Sequence, residues 1–335
     1  MKTNRPTQKF FTALYSLCFA AVLCTLPGLV QAADKIIYIR PVPMNDDLLL
    51  RQGSSGIRQA AQMFGMEAST LESQPNREGR QLQLDIAIGQ NPKFIVLIGM
   101  EFQDLLEKAA RKAPATRFLW LEHCLDKPPA NVSCIQFRET ETSYLAGLEA
   151  GWSSVSGKVG MLGPVDSPAR RRYADAFAVG ARTARPGIVI VPTVWIGGEQ
   201  PFNDGARAEQ LGKGMLAAGA DIIYAIAAGS NQGVIRAIGS QPRAKMIGHP
   251  VNQCHMLPGK VIDSVEIHYD AAITLAIGEI LHGDARPLME FGLKENVLSL
   301  TAISADAALS ECEITKERAL TQKIRQERQT LLQRK

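Results

Sequence analysis

Beyond residue 32 the sequence lacks any apolar run of the roughly 20 residues a membrane-spanning helix needs. It has no G-x-x-x-x-G-K-[ST] loop to cradle phosphates and no G-x-S-x-G elbow to present a nucleophile. Histidine is scarce, five in 335 residues, and none carries zinc-site spacing. His249, Cys254 and His255 lie close in sequence, but they form no defined ligand set and are set aside as a metal site. Basic residues are interleaved with acids, which leaves no stripe for nucleic acid. No catalytic residue, metal ligand or cofactor is therefore nominated.

What is present begins at the N-terminus. Lys2, Arg5 and Lys9 precede an apolar stretch from Phe10 to Leu26, and Pro27-Gly28 breaks it before Val30-Gln31-Ala32. The pattern predicts a secretory leader over residues 1–32, cleaved after Ala32. Leu precedes both Cys18 and Cys24, so neither sits in a lipid-attachment box. The leader holds three positive charges and no acid, so the net charge falls from +4 to +1 without it. Four cysteines lie beyond it: Cys124, Cys134, Cys254 and Cys312. In an oxidising compartment an even count favours disulfides. The expected pairs are Cys124–Cys134 and Cys254–Cys312, with buried free thiols as the alternative.

Short Ile- and Val-rich runs alternate with helical patterns along the rest. Strands are expected at Lys35–Arg40, Phe94–Met100, Arg117–His123, Asn131–Phe137, Lys158–Leu162, Ile188–Trp195, Asp221–Ala227, Lys245–Gly248 and Val261–His268. Helices are expected at Asp47–Phe64, Phe102–Arg111, Thr142–Trp152, Arg170–Thr183, Ala206–Ala218, Gln232–Ile238 and Asp270–Leu281. Strands apolar on both faces and separated by helices build parallel α/β sheets, with ligands bound beyond the strands' carboxyl ends. The length suggests two lobes, each a doubly wound parallel sheet, with three crossings. The crossings are expected near Gly151–Gly157, Met256–Lys260 and Gly283–Pro287. That gives lobe 1 residues 33–153 with 260–283, and lobe 2 residues 154–259 with 284–312. The charged segment 313–335 reads as a solvated helix or tail. Arg170-Arg171-Arg172 reads as a solvated helix face, with an anion grip at a helix start as the alternative.

Four stretches stand out: Asn131–Gly151 (NVSCIQFRETETSYLAGLEAG), Lys158–Gly180 (KVGMLGPVDSPARRRYADAFAVG), Phe202-Asn203-Asp204 and Asp221–Val234 (DIIYAIAAGSNQGV). They resemble the basic membrane protein family, which includes the purine nucleoside receptors of ABC importers. The same order continues through Ile247–Gln253 and the helix from Asp270. The resemblance implies a two-lobe, three-crossover type I periplasmic binding protein. Such a protein is expected to be a periplasmic monomer that closes on a small molecule and delivers it to an inner-membrane ABC permease. A sensor role, presenting the closed form to a histidine kinase or chemoreceptor, is the alternative.

In the family's nucleoside receptors the base lies between aromatics and is bonded by acids, while an Asp and a Lys hold the ribose. On this sequence Phe202 matches a stacking aromatic, with core packing as its other reading. Asp104 matches an acid at a helix start, and Gly229 and Ser230 match a loop lining the cleft. Departures accompany the matches. An Asp-Lys-Ser-Phe-Asn stretch falls on Asp46 to Leu50, keeping Asp46 and placing Leu49 at the second aromatic. An acid after the first strand becomes Arg40, the ribose Asp becomes Pro250, and the ribose Lys becomes Ile267. The expected ligand is thus a small planar or partly anionic solute, with a modified purine, free base or other heterocycle ranked above an intact nucleoside. Arg40 is expected to donate to it, or to close the lobes by pairing with Asp46, Asp47 or Glu101. Asp204, His249 and Asn252 complete the candidate ligand-binding set.

Overall fold

The computed structural model describes residues 33–43, 48–303, 312 and 318–333. The expected leader, together with Asp46 and Asp47, lies outside the described residues. Two six-stranded sheets organise the chain. In the first, β1 (Lys35–Arg40) pairs with the edge strand β2 (Glu67–Glu72) on one side and with β3 (Phe94–Ile98) on the other. Next come β4 (Arg117–Leu121), β5 (Val132–Phe137) and, at the far edge, β11 (Leu288–Phe291), all parallel. The second sheet runs β7 (Val189–Trp195), β6 (Lys158–Gly163), β8 (Ile222–Ala225), β9 (Lys245–Gly248) and β10 (Val261–Ile267). Its last strand, β12 (Leu298–Leu300), is antiparallel to β10.

Side-chain alternation explains why these runs are apolar throughout. In β1, Ile36 and Tyr38 join one core and Ile37 and Ile39 another, because successive side chains point to opposite faces. In the second sheet Met161 and Tyr224 face the first of these cores, and Ile223 and Met246 face a third. Helices cover both faces, so neither alternate set is left in water.

The crossings differ from expectation. The chain leaves sheet 1 after β5, and α4 (Glu139–Ser153) packs on the second sheet's helix α5 (Pro168–Ala184). It returns only after β10, whose pairing with β9 keeps Val261–Ile267 in sheet 2, and α8 (Tyr269–Leu281) packs on α1 (Leu48–Phe64). After β11 it crosses again between Phe291 and Leu298. The small polar stretch at Gly151–Gly157 is instead the end of α4, gathered by one carboxylate. Asp221 accepts from Ser154 Oγ at 2.6 Å and from the Val155 and Ser156 amides at 2.7 and 2.6 Å.

Both expected disulfides form, with Cα separations of 5.2 Å for Cys124–Cys134 and 5.3 Å for Cys254–Cys312. With its sulfur so engaged, Cys254 is not a metal ligand. The C-terminal segment is more than a solvated helix. Its helix α9 (Arg318–Gln333) buries Ile324 and Thr321. Arg328 donates to Leu293 O at 3.1 Å and to Asn296 Oδ1 at 2.7 Å, in the third crossing.

Helices α4 and α5 touch backbone to backbone. A Cβ added at Gly147 would come within 2.1 Å of Phe177 O, and one at Gly180 within 2.1 Å of Tyr144 O. Gly147→Ala or Gly180→Ala therefore forces the helices apart. Either should cost about 1–3 kcal/mol, seen as a lower melting temperature in thermal unfolding. An unchanged melting temperature would show that the helices can separate freely.

Candidate functional site

The strands of each sheet end towards a shared region where side chains from both lobes meet. On the sheet 1 side, Glu122 and His123 follow the end of β4. Glu122 has φ of +73, a left-handed conformation that a non-glycine residue adopts at a cost. Its amide donates to Ile135 O at 2.8 Å, and the Cys124–Cys134 bridge ties the following turn back to β5. Tyr269, opening α8, donates its hydroxyl to Glu122 Oε1 and stacks on Phe137, with ring centroids 5.5 Å apart. Trp120 lies beneath, 5.6 Å from the His123 ring, with its indole N–H fixed to Gly99 O at 2.8 Å.

On the sheet 2 side, Glu139 begins α4 and is held at both oxygens. Tyr173 Oη donates to Oε1 at 3.1 Å, and His249 Nε2 lies 2.7 Å from Oε2. His249 is 8% exposed and meets Tyr224 edge-on at 6.5 Å. Its backbone carbonyl accepts from Asn231, which also bonds Ala225 O, Ala227 N and Gln253 Oε1. Arg170, in the first turn of α5, places its guanidinium 5.4 Å from the centre of the Phe202 ring.

Charged groups from both lobes act on one another here. Glu122 keeps an exposed surface, yet protein crowds round it, as on the wall of a water-filled gap. Burial pushes its carboxyl up to about 7, helped by the negative charges of Glu139 and Glu101 and opposed by Tyr269 and Arg170. Water reaching the carboxyl also works against that rise. Burial lowers the His123 pKa, and the Arg170 charge lowers it further. Tyr173 is raised, first by burial and then by the Glu139 carboxylate.

Residues 33–334 match the sequence model of a family, Bmp, described as ABC transporter substrate-binding protein PnrA-like. The chain belongs to the Bmp family. It is 28% identical over 145 residues to the ABC transporter nucleoside-binding protein BmpA of Lactococcus lactis, covering 43% of this chain and 40% of that protein. The chain thus matches about two-fifths of that relative's length. It is 25% identical over 290 residues to basic membrane protein A1 of Borrelia garinii, covering 84% of each. Among solved structures it resembles an ABC transporter solute-binding protein from Aeropyrum pernix, with TM-score 0.69 and 22% identity over 90% of this chain and 91% of that one. The structural likeness speaks for the fold: two parallel-sheet α/β lobes of the solute-binding type.

The residues singled out from sequence have different fates. His249 lies against Glu139 and Phe202 against Arg170, Phe202 being 43% exposed rather than core. Glu101 is exposed in the turn after β3, close enough for its charge to act on Glu122. Asp104 is exposed in the first turn of α3 (Gln103–Lys112). Asp204 caps α6 (Gly205–Ala217), accepting from Arg207 N at 2.9 Å. Ser230 is buried and braces the Phe202 loop. Its Oγ accepts from Asp204 N and donates to Pro201 O, and its amide donates to Phe202 O. Gly229 lies under the same loop, 3.0 Å from Phe202 O by its missing Cβ. Asn252 Oδ1 accepts from Cys254 N at 3.0 Å. Leu49 is half-buried on α1, packed against the core.

Arg40, the last residue of β1, is only 1% exposed and pairs in register with Glu72 of β2. Pro250 and Ile267 are buried and bonded to one another, Ile267 N to Pro250 O at 3.0 Å. Sequence reasoning passed over Glu122, Glu139, Tyr173 and Tyr269, and it preferred a solvated helix face for Arg170 to an anion grip. Their signal was positional, at the ends of β4, β5 and β10 and the start of α5.

The raised Glu122 pKa has a signed consequence. The unfolded chain ionises this carboxyl near its ordinary value of 4.5, while the folded protein holds the proton to about 7. Its contribution to stability is therefore present below pH 4.5 and lost as pH rises towards 7. Glu122→Gln should raise the melting temperature relative to wild type above pH 7 and flatten its fall between pH 4.5 and 7. Parallel melting curves for the two proteins across that range would show that the carboxyl is not shifted.

Proposed function

We propose that this protein is the periplasmic binding component of an ABC importer and closes its lobes on a small heterocyclic solute, without turning it over. In this reading residues 1–32 are a cleaved leader and the protein acts as a monomer. The observation that carries it is the pairing of opposed walls, with Glu122 and Tyr269 against Phe202, Arg170 and the Glu139–His249 pair. Flat aromatic faces grip a planar ring, and carboxylates accept its N–H groups. The Bmp family and the nucleoside-binding relative support a heterocycle as the class. Buried Pro250 and Ile267, where a ribose clamp would need a carboxylate and an ammonium, favour a free base or similar ring over an intact nucleoside.

A ligand that touches both walls binds the closed form better than the open one, and that difference drives closure. The molecule that co-purifies with the protein, released by mild denaturation and weighed by mass spectrometry, should be a ring of this kind. Added back, it should compact the protein in solution scattering and raise its melting temperature. Phe202→Ala should weaken its binding by about 1–3 kcal/mol, measured by calorimetry. A tight ligand that leaves the radius of gyration unchanged would place binding outside the cleft.

A further inference from the structure

Arg170 breaks a local rule. A cation in the first turn of a helix faces the positive end of the helix dipole, and the first turn of α5 holds no acid to offset it. Ser167 caps the helix by accepting from Arg170 N at 3.3 Å, so the backbone there is held whatever the side chain does. The neighbouring Arg171 faces solvent and pairs with Asp166 at 2.6 Å. Arg170 takes the other course. It is half-buried against the Phe202 ring, and among the described residues no carboxylate lies within ion-pairing distance of it.

The carboxylates whose region it shares are already engaged by other groups. Glu139 is held by Tyr173 and His249, and Glu122 by Tyr269. A half-buried guanidinium that lacks an ion pair beside a stacking ring, in the cleft of a binding protein, is a subsite awaiting negative charge.

We propose that Arg170 is a specificity-determining residue that selects a planar heterocycle carrying negative charge at neutral pH. The ligand's anionic edge meets the guanidinium, its face meets Phe202, and N–H groups on the opposite edge meet Glu122. This rests on the cleft being the ligand site and adds the sign of the ligand's charge. The rule-breaking position is then accounted for, since local conflicts with helix preference are expected where function demands them.

The test is calorimetry at pH 7.5 with urate and orotate, both anionic rings, against hypoxanthine, uracil and inosine, which are neutral. Wild type and Arg171→Gln should favour the anionic rings by tenfold or more. Arg170→Gln should weaken the anionic rings about 10- to 100-fold, the loss of one charge-assisted contact, and leave the neutral rings little changed. Arg170→Lys should restore part of the loss if charge matters, and less than all of it if the contact is bidentate. Neutral rings that bind wild type as tightly as anionic ones, with Arg170→Gln unaffected, overturn the charge assignment while leaving a heterocycle cleft intact. Failure of every ring to bind, together with a co-purifying molecule that is not a heterocycle, overturns both. Circular dichroism of each variant separates lost binding from lost folding.

Discussion

The site depends on the contact between α4 and α5. Glu139 meets Tyr173, Gly147 meets Phe177 to Ala181, and Gly151 meets Ala181 and Ala184, so the two helices run side by side in the same direction. Helices joined this way present their N-termini at the same end. That end is the cleft, and it is why Glu139, Tyr173 and Arg170 arrive there together from residues some 30 apart. A side chain at either crossing glycine would push the helices apart and move the acid away from the phenol and the cation. The Ala-Gly and Phe-to-Gly stretches that carry the family likeness are therefore, physically, the two halves of one helix contact.

The opposing wall is fixed by other means. Glu122 sits on a strained corner, which persists only where the surroundings over-determine it. Here the amide bond to Ile135, the Tyr269 hydroxyl and the nearby Cys124–Cys134 bridge all act on the same few residues. In the second lobe Asn231 performs the equivalent service. Its one amide joins the end of β8 to the turn after β9, so a buried network sets the backbone at His249 and at the Ser230 turn that braces the Phe202 loop. Rigid lobes with prepositioned side chains leave the relative movement of the lobes as the variable that binding must settle.

Much of the fold was legible in the sequence because buried parallel strands write themselves as apolar runs. β1 and β9 fall where KIIYIR and KMIG predict them, and the other expected strands differ from the observed ones by a few end residues. Three strands were not seen. β2 (EASTLE) and β11 (LMEF) are sheet-edge strands, the first with no fully buried residue and the second alternating exposed with buried, and β12 has three residues. The helix α2 (Arg77–Gly89) was missed because it buries only Leu84 and Ala87 on a largely polar sequence. The crossings failed for a different reason. Small polar residues mark a turn but not its destination, and Gly151–Gly157 ends a helix that has already joined the second lobe. The cleft was half-legible: a stacking aromatic has a motif around it, whereas a lone acid at a strand end does not. Arg40 and Arg170 show the limit. Both are single arginines at the edge of an element, and only the neighbouring strands and helices decide that Arg40 is 1% exposed while Arg170 is half-buried against Phe202.

The crossings themselves carry a clasp that bears on closure. Arg138, where the chain leaves β5, bonds Glu141 at 2.9 Å and Glu295 at 2.5 Å, and it also donates to Glu290 O. Glu295 in turn accepts from Gly292 N, and Glu141 from Leu293 N. The first and third crossings are thus joined by a partly shielded network of one cation and two acids, and Arg328 of α9 braces the third from outside. Such a network resists separation of the crossings more than rotation about them, because its bonds lie within the hinge and not across the cleft. In the proposed function closure is then a rigid-body rotation of the lobes, and the bonds formed across the cleft are those made with the ligand. On that proposal the chemistry of Glu122, Phe202 and Arg170 governs how far the closed form is favoured.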